Sequence, residues 1–183
     1  MRILLVSGSL RSGSTNTALL RTAAAAAPEG IETTLYDGMR ELPHFDPGDD
    51  PADGAPPPAV AAMRAVIADH DAILFCTPEY AGGLPGSFKN LLDWTVGGGE
   101  TYGMAVAWVN VSGPAAPQRG AGAIAGLEAT LGYTGSNLVA DACQRIPVTR
   151  DDIGDDGLIA DPAVREQAAD ALRALAAAAA ATA

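Results

Sequence analysis

Residues 8–16 read GSLRSGSTN. Ser9, Ser12, Ser14, Thr15 and Asn16 can each donate a hydrogen bond to an anion. Arg11 adds a fixed charge and a bidentate fork suited to phosphate, and Gly8 and Gly13 let a ligand approach the backbone closely. The stretch lies between a short apolar run, RILLVS at 2–7, and a helical pattern opening at Ser14. A helix that starts there leaves four backbone N–H groups without partners and carries about half a positive charge at that end. Together these features make an anion site. Nothing matches GxxxxGK[ST], and Gly8 and Gly13 are too far apart for GxGxxG. A phosphate monoester bound without metal therefore fits better than a triphosphate.

The second unusual stretch is TPEYAGGLPGSFKN at 77–90, a turn-rich loop after another apolar run. The remaining reactive residue types are isolated. His44 and His70 have no partner at metal-ligand spacing, so both read as solvated and no metal site is expected. Cys76 falls in a buried strand and reads as inert. Cys143 has no basic neighbour before Arg145 to favour a thiolate. The acidic stretch 46–53 lacks the EF-hand pattern and reads as a solvated loop.

Alternating elements must place these two loops. Residues 2–7, 71–77 and 102–111 are continuously apolar, as strands buried on both faces are. Residues 31–36 alternate and are β-branched, which predicts a strand nearer an edge, and 136–142 predict a short fifth strand. Helices are predicted over 14–27, 58–69, 86–95, 118–131 and 161–181, with Ser14 and Asp161 as N-caps and Pro58 and Pro162 at first helical positions. Residues 37–57 form a long, turn-rich acidic loop. Five strand–helix alternations predict a doubly wound five-stranded parallel sheet, order 2-1-3-4-5, with helices on both faces. No linker or internal repeat is evident, so 1–183 is read as a single domain. In that order the loops after strands one and three diverge and leave a crevice, where ligands bind in such sheets.

The bulk properties exclude several classes. The chain has 183 residues and a formal net charge of −11, with a pI near 4.3. Nucleic acid and anionic membranes both demand clustered cations, so neither is an expected partner. The initial apolar run is too short for a signal peptide. The C-terminal alanines are too weakly apolar for a membrane span. Two cysteines without CxxC spacing fit a reduced, cytoplasmic protein.

GSLRSGSTN together with PEYAGGLPGSFKNLLDW resembles the NADPH-dependent FMN reductase family, flavodoxin-like flavoproteins that include quinone, chromate and azo-dye reductases. The similarity runs over nearly the whole chain up to the last helix. It implies that Ser9, Arg11, Ser14, Thr15 and Asn16 hold the FMN phosphate. Pro78, Glu79, Tyr80, Ala81 and Gly82 would line the isoalloxazine ring, and Ser112 and Gly113 would touch it from the other side. It implies NADPH or NADH as electron donor, a small-molecule acceptor (a quinone, free flavin, another aromatic or a metal oxyanion) and ping-pong hydride transfer. The flavin carries the hydride, so no side chain is named as catalytic. Leu84, Phe88, Leu92 and Trp94 are offered as the contact of a homodimer or homotetramer. Two departures stand out. Ala81 occupies a position where the family usually has Asn, and VSGPAAPQRG replaces an SPGG-like fourth loop. The competing reading is a non-enzymatic FMN-binding electron carrier or redox sensor, which the same sheet permits.

Overall fold

The computed structural model describes residues 1–51, 54–112 and 118–182. Five parallel positions form one sheet in the order β2-β1-β3-β4-β5, built from β1 (Arg2–Ser7), β2 (Glu32–Tyr36), β3 (Ala72–Cys76), β4 (Ala105–Asn110) and β5 (Asn137–Leu138). The helices are α1 (Thr15–Ala25), α2 (Pro58–Ala68), α3 (Gly86–Asp93), α4 (Thr95–Gly98), α5 (Ala121–Tyr133) and α6 (Pro162–Thr182).

Strand alternation divides the core in two. Ile3 and Leu5 of β1 pack with Leu74, Cys76, Leu19, Leu20, Leu172 and Leu175, beneath α1 and α6. Leu4 and Val6 face the other way, to Met63, Ile67, Phe75, Phe88, Leu92 and Trp94, beneath α2 and α3. Both sets are fully buried, which is why the central strands show no polar alternation. In-register pairs such as Leu5 with Leu74 and Ser7 with Cys76 bring the carboxyl ends of β1 and β3 side by side. Gly8 N–H extends that ladder by one bond, to Cys76 O at 2.8 Å.

The last sheet position differs from the sequence expectation. Only Asn137 and Leu138 pair with β4. The chain then leaves in a 3₁₀ turn, Ala140–Ala142, and returns as β6 (Gln144–Arg145), which pairs with Val109 and Asn110 of β4. The strand expected over 136–142 is thus cut to Asn137–Leu138, and a second short strand follows beyond that range. The returning piece is polar, because it forms the edge, and carries no apolar signature. The helix predicted over 118–131 begins three residues later, because Gly120, at φ 87°, occupies its N-cap.

The stretch 37–51 contains two 3₁₀ turns, Gly38–Glu41 and Pro47–Asp49, and contacts across the fold pin it down. Arg64 donates both Nη atoms to the Asp50 carboxylate at 2.9 and 2.7 Å, and also donates to Trp94 O. Glu100 lies 3.4 Å from the same guanidinium. The Asp50 side chain is only 8% exposed, so the stretch 46–53 is not uniformly solvated. Asn90 accepts from Phe45 N–H and donates to Pro43 O, which also accepts from the Trp94 indole. Phe45 stands edge-on to Trp94 at 4.9 Å.

These contacts overturn the proposed subunit contact: Phe88, Leu92 and Trp94 are buried within their own chain. His70 is also mostly buried rather than solvated, with Nδ1 2.7 Å from Val66 O. No group of metal-ligating side chains occurs among the described residues. No helix among them is long and apolar enough to cross a membrane.

Candidate functional site

At the carboxyl edge of the sheet the loops after β1, β3 and β4 surround a cleft of about 530 Å³. Arg11, Thr15 and Asn16 line it from the first loop, and Thr77, Pro78 and Glu79 from the loop after β3. Asn110, Val111, Ser112, Arg119 and Gly120 come from β4 and the loop that follows it. A fourth wall, Val148, Thr149 and Arg150, comes from the segment after β6.

The first loop is built to present donors. Ser7 ends β1, and its hydroxyl shares a 2.7 Å hydrogen bond with Thr17 of α1. Its Oγ also accepts from Ser9 N–H, and Ser9 Oγ from Arg11 N–H. Gly8 has room only for hydrogen, since a Cβ there would overlap the Thr77 side chain. Gly13 turns the chain at φ 65°. Ser14 takes the N-cap position with extended backbone, yet its hydroxyl makes no cap bond. The first intrahelical bond is Ala18 N–H to Ser14 O. Among the described residues, the N–H groups of Ser12, Gly13, Ser14, Thr15, Asn16 and Thr17 all lack a partner. Six successive open donors at a helix start form a nest for an anion. Arg11 is exposed over them, one Nη atom 3.2 Å from Gly13 O. Asn16 is buried, and its Oδ1 accepts from the Cys76 thiol at 3.3 Å. Burial pushes that thiol's pKa far up, so it is a neutral joint between β3 and α1.

The β3 loop is anchored instead. Glu79 Oε2 accepts from the N–H groups of Gly122 and Ala123, at 2.7 and 3.2 Å, and so caps α5 from 43 residues away. Tyr80 and Gly83 exchange both backbone bonds at 3.0 Å. Between them Ala81 and Gly82 both have positive φ, 50° and 78°. This tight turn leaves the Ala81 and Gly82 N–H groups open but engages those of Tyr80 and Gly83. The turn lies against α5 so closely that a Cβ at Gly122 would overlap Gly82 O.

The cleft thus collects Arg11, Thr15, Asn16, Pro78, Glu79 and Ser112 from the sequence-predicted residues. Ser9 faces an adjoining groove and Ser14 a third concavity, each shared with Arg11. Tyr80, 53% exposed, stands with Ala81 and Gly82 at the tip of the turn, outside the cleft wall. Gly113 lies outside the described residues. Ser112 N–H donates to Asn110 Oδ1 at 3.0 Å, and its hydroxyl bridges Asn110 Oδ1 and Arg119 O.

Sequence reasoning missed Asn110, Arg119 and the 148–150 wall. Thr149 donates its N–H and hydroxyl to Asp152 Oδ2 at 2.7 and 2.8 Å, which lowers the Asp152 pKa and fixes the turn presenting Arg150. A Thr-x-x-Asp turn signal was there to be read. For Arg119 there was none.

Donors, arginines and volume fit a phosphate-bearing cofactor of flavin mononucleotide size. Comparison with known proteins agrees. The chain is 41% identical over 96 residues to a probable NADPH:quinone oxidoreductase of Oryza sativa subsp. japonica, covering 51% of this chain and 47% of that one. It is 40% identical over 94 residues to an NAD(P)H-dependent FMN reductase of Pseudomonas aeruginosa, covering 51% and 49%. It thus spans about half the length of the curated relatives it matches. Among solved structures, the flavoenzyme NAD(P)H:(acceptor) oxidoreductase FerB of Paracoccus denitrificans superposes with a TM-score of 0.75 at 24% identity, over 96% of this chain and 97% of that one. A WrbA-like flavodoxin of Agrobacterium tumefaciens gives 0.60 at 14%, over 97% and 96%, and shares the fold. A sequence profile described as NADPH-dependent FMN reductase matches residues 1–141, and with that match the chain belongs to the NADPH-dependent FMN reductase family.

Proposed function

We propose that this chain binds FMN in the cleft and acts as an NAD(P)H-dependent oxidoreductase on quinones, free flavin or other aromatic or metal-oxyanion acceptors. The observation that carries the reading is the run of six open N–H groups, Ser12 to Thr17, beneath Arg11 at the switch point of the sheet. Bound FMN supplies the redox chemistry: a hydride taken from the nicotinamide is passed to the acceptor in ping-pong order.

The chain's own work is binding and positioning. The open N–H groups, Arg11, and the Ser9 and Ser14 hydroxyls hold the phosphate, with Thr15 and Asn16 completing the cradle. Pro78 and Glu79 form one wall, with the turn at Tyr80, Ala81 and Gly82 beyond it, and Ser112 and Gly113 serve on the opposite side. The Ala81 and Gly82 N–H groups are the free donors for the ring edge. Glu79 is engaged by α5 and is not available as a proton-transfer group. The reading includes a cytoplasmic homodimer or homotetramer, whose contact must use surfaces other than Phe88, Leu92 and Trp94.

Titration of the purified protein with FMN, followed by anaerobic NADPH, tests the reading. Flavin absorbance should appear on the protein and bleach with the nicotinamide. Arg11→Ala should weaken FMN about 10- to 100-fold, the range of one lost charge-assisted hydrogen bond. Riboflavin, which has no phosphate, should bind both proteins alike. Protein that ignores FMN, or holds it without bleaching, rejects the proposal.

A further inference from the structure

Three arginines line the cleft: Arg11 from the first loop, Arg119 from the loop after β4 and Arg150 from the segment after β6. The chain has 22 acidic residues and 11 Lys and Arg, so its cations have acids to choose from. Arg2, Arg64, Lys89 and Arg173 all sit in ion pairs. Among the described residues, Arg11, Arg119 and Arg150 have no carboxylate within 4.0 Å. Glu79 is the acidic residue of the cleft wall, and its Oε2 is taken by the start of α5. A strongly acidic protein thus turns a cationic rim toward its cleft, and such a field draws anions in.

Arg119 and Arg150 are rooted in segments tied to Asn110, which ends β4 and is 2% exposed. The Ser112 hydroxyl bridges Asn110 Oδ1 to Arg119 O, and a Cβ at Gly120 would overlap Asn110 Nδ2. Asn110 O accepts from Ile146 N–H at 2.8 Å and Val111 O from Val148 N–H at 3.4 Å, which aligns the chain leading to Arg150. The Asp152 carboxylate, two residues on, is spent on Thr149. Both guanidinium groups are left exposed, on backbone that is held.

The cofactor phosphate has a cradle without them, in Arg11 and the six open N–H groups from Ser12 to Thr17. Neighbouring strands lie about 4.8 Å apart, so the ends of β4 and β6 stand roughly 10 and 14 Å from that of β1. Arg150 also lies beyond residue 141, outside the stretch shared with the family, so the charge it adds is this chain's own. Pro78, Val111 and Val148 supply apolar surface in the same cleft, which suits an aromatic body better than a small inorganic anion.

We propose that Arg119 and Arg150 form a second anion subsite, which selects an aromatic electron acceptor carrying a sulfonate or carboxylate over a neutral quinone. The proposal rests on the oxidoreductase reading for its purpose, but the subsite is testable without turnover. Calorimetric titration of the FMN-loaded protein uses three probes: naphthalene-2-sulfonate, its neutral isostere naphthalene-2-sulfonamide, and inorganic sulfate. The arenesulfonate should bind about 10- to 100-fold more tightly than either of the others, as one or two charge-assisted contacts allow. Arg119→Ala and Arg150→Ala should each remove about tenfold of that preference, and Arg150→Lys should keep most of it. In steady state with NADPH, each alanine variant should lower kcat/KM for 1,4-naphthoquinone-2-sulfonate about tenfold relative to 1,4-naphthoquinone. Added salt should shrink the wild-type preference in the same direction.

Equal binding of the sulfonate and the sulfonamide overturns the proposal, as does a preference that survives both alanine substitutions. Sulfate binding as well as the arenesulfonate overturns it too, by reducing the subsite to a site for any anion. Variants that weaken FMN but spare riboflavin would assign the arginines to the cofactor phosphate, and variants that raise only KM for NADPH would assign them to the donor; either result rejects the acceptor subsite. Wild-type protein that prefers the arenesulfonate but oxidises NADPH with no acceptor keeps the subsite and rejects the oxidoreductase reading instead.

Discussion

The two loops that face each other across the cleft solve opposite problems. The β1–α1 loop leaves six successive N–H groups and the Ser14 hydroxyl without internal partners. The β3–α3 loop is fastened to its own protein, by Glu79 to the start of α5 and by the paired Tyr80 and Gly83 backbone. A loop with open donors is suited to receive a charge, and its structure is completed by whatever it receives. A loop locked onto a helix is suited to be a wall, with a shape independent of ligand. Recognition of charge and recognition of shape are thus carried by different chain segments, and each can be perturbed alone.

Alanine at one glycine of each region should separate them most sharply. A Cβ at Gly122 would overlap Gly82 O and come within 3.1 Å of Glu79 Oε2, with backbone on one side and a fixed carboxylate on the other. Gly122→Ala should cost about 3 kcal/mol in urea unfolding, at the upper end of overpacking. It should also loosen the wall, so that riboflavin and FMN weaken by the same factor. At Gly13 nothing lies within 4 Å, and only the φ of 65° opposes a side chain. Gly13→Ala should cost about 1 kcal/mol, with FMN weakened and riboflavin spared. Identical effects on the two flavins in both variants would erase the distinction.

The joint between the loops is the Cys76 thiol on Asn16, and it makes the assembly sensitive to alkali. Burial raises the Cys76 pKa above its ordinary value, and it raises the half-buried Cys143 in the same direction. Burial, with Asp37 adding to it, lifts Tyr36 to about 12. In each case the folded state holds its proton longer than the unfolded chain. The stabilisation is therefore complete below the unfolded pKa and is lost as pH rises through the window up to the folded one. The urea midpoint should be flat between about pH 6 and 8, fall from about pH 9 as the cysteines enter, and fall again between about 10 and 12. Each group contributes a slope of about 1.4 kcal/mol per pH unit at most. Native Cys76 should resist iodoacetamide at pH 8.5 and react fully in urea. Rapid alkylation of the folded protein would contradict its place in the joint.

Glu79→Gln comes next in size. The amide oxygen can still accept one helix N–H, but the negative charge at the start of α5 is gone, so a loss of about 1 kcal/mol is expected. Hydrogen exchange at Gly122 and Ala123 should quicken while exchange at Thr15 to Thr17 does not change. A protein as stable as wild type would show that the carboxylate is not what fastens this wall.

How far these regions were legible follows from the range of the interactions that make them. The strands β1, β3 and β4 and the donor-rich first loop are local patterns, and the strand order follows from their alternation with helices. The interface assigned to Phe88, Leu92 and Trp94 failed because an apolar stripe does not say what covers it. Here it is the sheet, and a loop led across by Pro43 and Phe45. The clamp of Arg64 on Asp50 and Trp94 O spans 14 and 30 residues, and no periodicity announces it. Nothing local marks Glu79 as a helix cap, since its partners lie on a helix 43 residues on. Gly122, which weakens the helical pattern, is the trace of that contact, because it admits the Gly82 carbonyl.

The smallest effect concerns the departure at Ala81. Among the described residues it is the one non-glycine with positive φ, at 50°. Left-handed backbone costs an alanine roughly 1 kcal/mol, whereas asparagine adopts it more readily and glycine without steric cost. The family's asparagine there thus has a conformational reason that stands apart from any contact with the ring. Ala81→Asn should stabilise the protein by about 0.5 kcal/mol, as a shift of the urea midpoint at constant slope. Ala81→Gly should gain less, because the unfolded chain becomes more flexible as the strain is relieved. If the asparagine acts only through the backbone, FMN affinity should not change. An improvement in FMN binding with no gain in stability would instead assign the residue to the ligand, and would make the turn a participant in recognition rather than a wall.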